Sequence, residues 1–321
     1  MNIKMTATQG LCAAALLALM PLSGAQAFEG GAVTALQPGV TTGNAAGALP
    51  PPGLYYNTDA DWETGTVVGG SGHKVSIAGQ NLHASNVAWV NSLLWVPGWH
   101  FLGADYGAMI AQPIKWASTH WSGGTTYKSG GLMGTVVSPE IMSWNLGGGF
   151  HVSQGMAFVL NDGYTTSAYN AGAGRNMTTN YNLANAFYTF EPSFAISYLN
   201  NGWNLTANNV LDFNTKNQTT DYQSGNIYYL DLTAAKRFGD WTFGLLGNYT
   251  QQFTDDEVGG QVVPAANGFG RGSRVMHVKV GPMVSYDFGR FQVTARYLQA
   301  VKTENDCDVS FFHVGLSAKL Y

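Results

Sequence analysis

Long runs of period-2 alternation restrict this chain more than any other feature. Twelve segments alternate apolar and polar residues, over about 53–62, 82–96, 100–113, 134–146, 150–161, 184–199, 203–214, 225–238, 241–254, 272–288, 291–303 and 308–321. Most exceed the ~5–6 residues usual in soluble sheets and reach the ~9–11 that cross a bilayer. Their connections alternate in length. "PGW" (97–99), "GGG" (147–149), "NNG" (200–202), "GD" (239–240) and "GR" (289–290) are tight turns. Residues 63–81, 114–133, 162–183, 215–224 and 255–271 are long connections, and 304–307 is the short member on their side. Short turns at one end, longer loops at the other and an even strand count describe an all-β transmembrane antiparallel barrel. A soluble sandwich gives no reason for the alternation.

Composition agrees. Charged residues are 11% of the chain, against about 25% in a typical soluble domain. No run of 18 clean apolar residues follows the N-terminal region; the nearest, 87–104, is broken by Asn91, Ser92, Pro97, Gly98 and His100. Lys4, the apolar stretch "LCAAALLALM" and the small-residue pattern "AQA" (25–27) predict a signal peptide over 1–27. Its removal leaves 14 basic and 19 acidic side chains, a formal charge of −5. No basic run is present, so nucleic acid is not an expected partner. Only Cys307 remains, so no internal disulfide forms.

The hairpins sort their own faces. Pairing Phe238 with Trp241 puts Leu230, Leu232 and Ala234 on one face with Phe243 and Leu245, and sets Asp231 opposite Asn248 on the other. Pairing Phe288 with Phe291 groups Val284 and Tyr286 with Val293, Ala295 and Tyr297, and sends His277, Lys279 and Arg296 to the opposite face. In the last strand His313, Ser317 and Lys319 alternate with Phe312, Val314, Leu316, Ala318 and Leu320.

Several stretches together resemble the family of exported proteins associated with the meta pathway of phenol degradation, outer-membrane channels. They are "LPPPGLYY" (49–56), "SPEIMSWNLGGGFHVS" (138–153), the long block 188–241, "NYTQQFTDDE" (248–257) and "VGPMVSYDFG" (280–289). The resemblance implies a Gram-negative outer-membrane channel for passive uptake of small hydrophobic or aromatic compounds. Lipid and lipopolysaccharide would surround it, and no catalytic residues are implied. Residues 28–52, Gly- and Pro-rich and without period, precede a barrel over 53–321. They either plug the lumen or hang free; analogy with fatty-acid-type channels favours a plug. Both termini are expected at the turn end.

The inward face predicts a set of pore-lining charges. Lys279, Arg296, Lys302 and Lys319, with His277 and His313, lie on the last three strands, Lys302 facing His277. Asp105, Glu191, Asp212 and Asp231 lie inward on earlier strands, and Arg237 lies near a turn. Such a field either orients a phenolate or carboxylate or merely braces the barrel. His151 and Ser153 share a face and raise a hydrolase reading, although no third residue orients the histidine. The histidines show no metal spacing, and no cofactor is expected. "TDDE" (254–257) reads as a solvated loop or a divalent-ion site. Trp89, Trp95, Trp144, Trp203 and Trp241 read as an interfacial girdle. The rival functions are a general small-solute porin, a barrel-embedded hydrolase and a structural or adhesive surface barrel.

Overall fold

Alternating side chains give each strand a lipid face and a lumen face, and closure removes the unpaired edges that hydrocarbon would not tolerate. A computed structural model describes residue 29 and residues 34–76, 79–264 and 274–321, so the signal peptide expected over 1–27 lies outside the described residues. Twelve long strands form the wall: β1 (Gly53–Thr66), β2 (Leu82–Val96), β3 (Ala104–Trp121), β4 (Val136–Gly147), β5 (Phe150–Val159), β6 (Thr189–Asn200), β7 (Trp203–Asn214), β8 (Ile227–Phe238), β9 (Trp241–Gln252), β10 (Met276–Asp287), β11 (Phe291–Glu304) and β12 (Ser310–Lys319). Each is antiparallel to its neighbours, and β1 pairs with β12 from Tyr55↔Lys319 to Thr64↔Ser310, which closes the ring.

The register follows the alternation. Asp231 pairs with Asn248, Phe238 with Trp241 and Met283 with Arg296. Leu245 is 70% exposed on the outer face, whereas Asp231 is 3% exposed inside. Asn201 and Gly202 both have positive φ, the geometry a two-residue hairpin turn requires. Aromatic rings collect at the turn end: Trp95 packs on Trp99, Phe150 on Tyr198, Trp241 on Tyr286, and Phe288 on Phe291. This is the place of an interfacial girdle. Trp89 does not belong to it. It lies mid-strand, opposite Ala60 and Ile114, and its indole N–H donates to Thr58.

Four regions expected as loops carry strands; in two of them Tyr222–Gln223 pairs with Glu257–Val258, which pairs with Gln261–Val262. β3 does not stop at 113. It stays paired with β2 as far as Trp121 and turns back through Thr126–Leu132, because the alternation runs on until Ser122-Gly123-Gly124 breaks it. Within 162–183, Ser167–Asn170 pairs with Arg175–Thr178.

Residues 34–50 run inside the ring. Successive i to i+3 backbone bonds (Val40 to Gln37, Thr42 to Gly39, Ala48 to Ala45) fold them into a chain of turns. Glu29 accepts a hydrogen bond from Asn217 in a long loop, and Leu49 lies against Gly107 near the turn end. The segment therefore traverses the lumen. Its earlier part lies at the loop end, not at the turn end where both termini were expected.

Candidate functional site

The segment is bonded to the wall at several points along its length. The Thr41 amide and hydroxyl donate to Asp231 Oδ2 at 3.0 and 2.6 Å, and the Gly43 amide donates to Thr233. The Gly47 amide donates to Ser197, while Ser143 and Ser153 donate to the Gly47 and Ala46 carbonyls. Arg296 Nη1 donates to the Thr42 carbonyl. Inward Ser, Thr, Asn, Asp and Arg side chains thus satisfy backbone groups that no sheet reaches.

A cavity of about 1110 Å³ remains around the segment, lined by inner-face residues of all twelve strands. The arc supplied by β2 and β3 is mostly apolar, with Ala88, Val90, Leu94, Met109, Ala111 and Pro113. Small residues keep that arc open: an alanine leaves space where a leucine would fill it.

Charges concentrate where β1 meets β11 and β12. His313 Nδ1 lies 2.6 Å from Asp61 Oδ1, and His313 Nε2 lies 3.0 Å from Asp59 Oδ1. Arg296 Nη2 lies 3.2 Å from His313 Nδ1. Asp59, Asp61 and Glu63 were not singled out from the sequence, although their alternation in "NTDADWE" (57–63) marks one face of β1.

The predicted pore-lining residues fall into two groups. Glu191, Asp212, Asp231, His277, Lys279, Arg296 and His313 are buried within the ring. Tyr229 donates to Asp212, Asn248 donates to Asp231, and His277 Nε2 meets Asp306 at 3.0 Å. Lys279 lies 5.2 Å from the Phe311 ring centroid. The other four lie towards the strand ends, Arg237 still among the residues lining the cavity. Lys302 does not face His277: a bulge at Val301 shifts the register, so Thr303 opposes His277 and Lys302 turns outward to Glu304. Asp105 pairs with His100, Arg237 with Asp287, and Lys319 donates to the Pro52 carbonyl, all at the turn end.

Residues 64–306 match the family model described as "Putative MetA-pathway of phenol degradation". The chain belongs to this family. Among solved structures, an outer-membrane channel from Pseudomonas putida F1 superposes with a TM-score of 0.71 at 12% identity, over 88% of this chain and 99% of that one. That likeness establishes the β-barrel fold. The transport unit of the autotransporter AIDA-I from Escherichia coli has a TM-score of 0.49 at 10% identity, over 84% of this chain and 90% of that one. The CymD monoaromatic hydrocarbon channel has a TM-score of 0.42 at 10% identity, over 91% and 95%. No curated protein sequence matches the chain. The family resemblance read from 138–153, 188–241, 248–257 and 280–289 therefore holds, and the stretch 49–56 lies outside the matched residues.

In this member of the phenol-degradation family, the loops form a cap above the lumen. Asp255 pairs with Arg274 at 2.7 Å. Asp256, its neighbour in "TDDE", turns inward: Tyr222 donates to Oδ2, and the Gly225 amide and Gln252 side chain donate to Oδ1. The two carboxylates are thus committed to different partners. Burial lifts the Asp256 carboxyl to about 7 against these three donors. Its folded value lies above the ordinary 3.8. Stability from this group is therefore full below the ordinary value and is lost as pH rises through about 7. At ~1.4 kcal/mol per pKa unit the effect is on the order of a few kcal/mol. Hydrogen-exchange protection factors, which divide out the intrinsic base-catalysed rise of exchange with pH, are expected to be lower at pH 8 than at pH 5 for peptides spanning 215–226 and 253–264. Asp256→Asn, which keeps two acceptor bonds and offers Tyr222 a donor, should abolish that difference. An unchanged pH dependence in the variant would show that another group sets it.

Proposed function

We propose that the chain is an outer-membrane channel for passive uptake of small hydrophobic or aromatic compounds, with residues 34–50 as a resident plug. One observation carries this reading: the cavity of about 1110 Å³ around the segment includes an apolar arc of wall supplied by β2 and β3. A small apolar solute loses nothing by leaving lipid or water for that arc, whereas a sugar leaves hydrogen bonds unmade. Family membership supports the same reading. The porin alternative is weaker, because the segment already occupies the hydrogen-bonding groups of the polar wall. The hydrolase alternative is weaker too, because the Ser153 hydroxyl donates to the Ala46 carbonyl at 2.7 Å.

The test is whole-cell uptake in an outer-membrane host lacking its own channels. Toluene should enter faster with the protein than without it, and arabinose should not. Equal gains for both solutes would favour the porin, and no gain for toluene would overturn the proposal.

A further inference from the structure

Among the cavity-lining residues of β2 and β3, Lys115 alone is charged. It lies on the inward face of β3, opposite Ala88 on β2 and Gly131 on the returning arm, and is 8% exposed. Among the described residues no carboxylate lies within 4.0 Å of its ammonium and no hydrogen-bond acceptor is recorded for it. The other lumen charges differ. Asp59 and Asp61 hold His313, Asp306 holds His277, and Glu63 accepts from Asn86. Arg296 is spent on the Thr42 carbonyl, and Lys279 lies against Phe311. Asp61 is in the same layer as Lys115, separated by Ala88, but is taken up by His313.

The ammonium has no counter-ion among the described residues, and it opens onto the cavity and is not sealed in the packed wall, so an anion in the cavity can reach it. It stands on the wall of the proposed solute path, with Pro113 and Ala117 on either side along the same face. We propose that Lys115 and the apolar arc around it form a binding site for a small apolar monoanion, an aromatic carboxylate or phenolate. The ammonium pairs with the charge, and the ring lies on Ala88, Val90, Ala111 and Pro113. This inference rests on the channel reading and assigns the orienting charge to Lys115 instead of Arg296 or Lys279, whose groups are already engaged.

The test measures calorimetric binding to the full-length protein in detergent, with benzoate as probe and benzyl alcohol as its neutral counterpart. Wild type should bind benzoate at least about tenfold more tightly than benzyl alcohol, a difference of ~1.4 kcal/mol. Lys115→Met should erase that preference, Lys115→Arg should keep it, and Lys279→Met should leave it unchanged. Equal binding of the two probes by wild type, or an undiminished preference in folded Lys115→Met, would overturn the site. The wild-type comparison decides the matter even if a variant fails to fold. Failure of the channel reading shows separately, as absent toluene uptake by wild type.

Discussion

A chain lacking residues 34–50 is expected to conduct ions several-fold better than the intact chain in planar bilayers and still to fold. Both halves of this expectation follow from the bonding. The wall is held by strand-to-strand ladders, from Gly53↔Val96 around to Tyr55↔Lys319, and no residue of the segment takes part in one. The segment meets the wall through side chains such as Asp231, Thr233, Ser197 and Arg296. Removing it therefore leaves the ring intact and frees for water the space the segment fills and the wall's polar groups that it engages. Twelve strands lie between barrels of about 8, filled by side chains, and porins of 16–18 with open channels, so the emptied lumen should be wide enough to conduct. Heat-modifiable gel migration checks that the shortened barrel has folded. Unchanged conductance in a folded barrel would show that residues 34–50 do not limit the pore.

Gly47→Val dislodges the middle of the segment without deleting it. A Cβ on Gly47 would fall 2.7 Å from the Ser197 amide nitrogen and 2.9 Å from the His151 carbonyl oxygen. Both are backbone atoms of paired strands and cannot give way as a side-chain tip could. Overpacking of this kind costs ~1–3 kcal/mol. The bonds from Gly47 to Ser197 and from Ser143 to Gly47 break with it. Conductance should rise part-way towards that of the deletion, with unchanged heat-modifiable migration. Gly43→Ala meets only side-chain atoms, Met283 Sδ at 3.4 Å and Arg296 Nη1 at 3.9 Å, though its φ of +88 adds strain, and should disturb the pore less. Conductance equal to wild type for Gly47→Val would mean that the segment does not depend on this seat.

The barrel was legible because alternation, turn chemistry and strand length all point to one answer. β2 and β7 begin and end where the sequence pattern puts them. The errors have local causes. The end of β3 was lost because its polar residues past 114 read as loop, and with it went Lys115, the residue on which the anion site rests. Lys302 was misplaced because one extra residue, Val301, flips every later side chain of β11, and a bulge leaves little trace in composition. Asp59, Asp61 and Glu63 were readable from alternation alone, but the aromatic residues between and beside them drew the eye to the membrane face. The path of residues 34–50 could not be read, since a chain of turns has no period. Its bonds are made to strands about 94–254 residues distant in sequence, from Ser143 to Arg296.

The central claim is that solute passes along the apolar arc between the segment and β2–β3. Filling that arc tests it most directly. Ala88 and Ala111 face the cavity, whereas Leu232 is 46% exposed on the outer wall. Whole-cell toluene uptake should fall to the level of the channel-free host with Ala88→Trp and with Ala111→Trp, and should stay at the wild-type level with Leu232→Trp, provided all three show heat-modifiable migration. Undiminished toluene uptake through both filled barrels would place the path elsewhere and contradict the account.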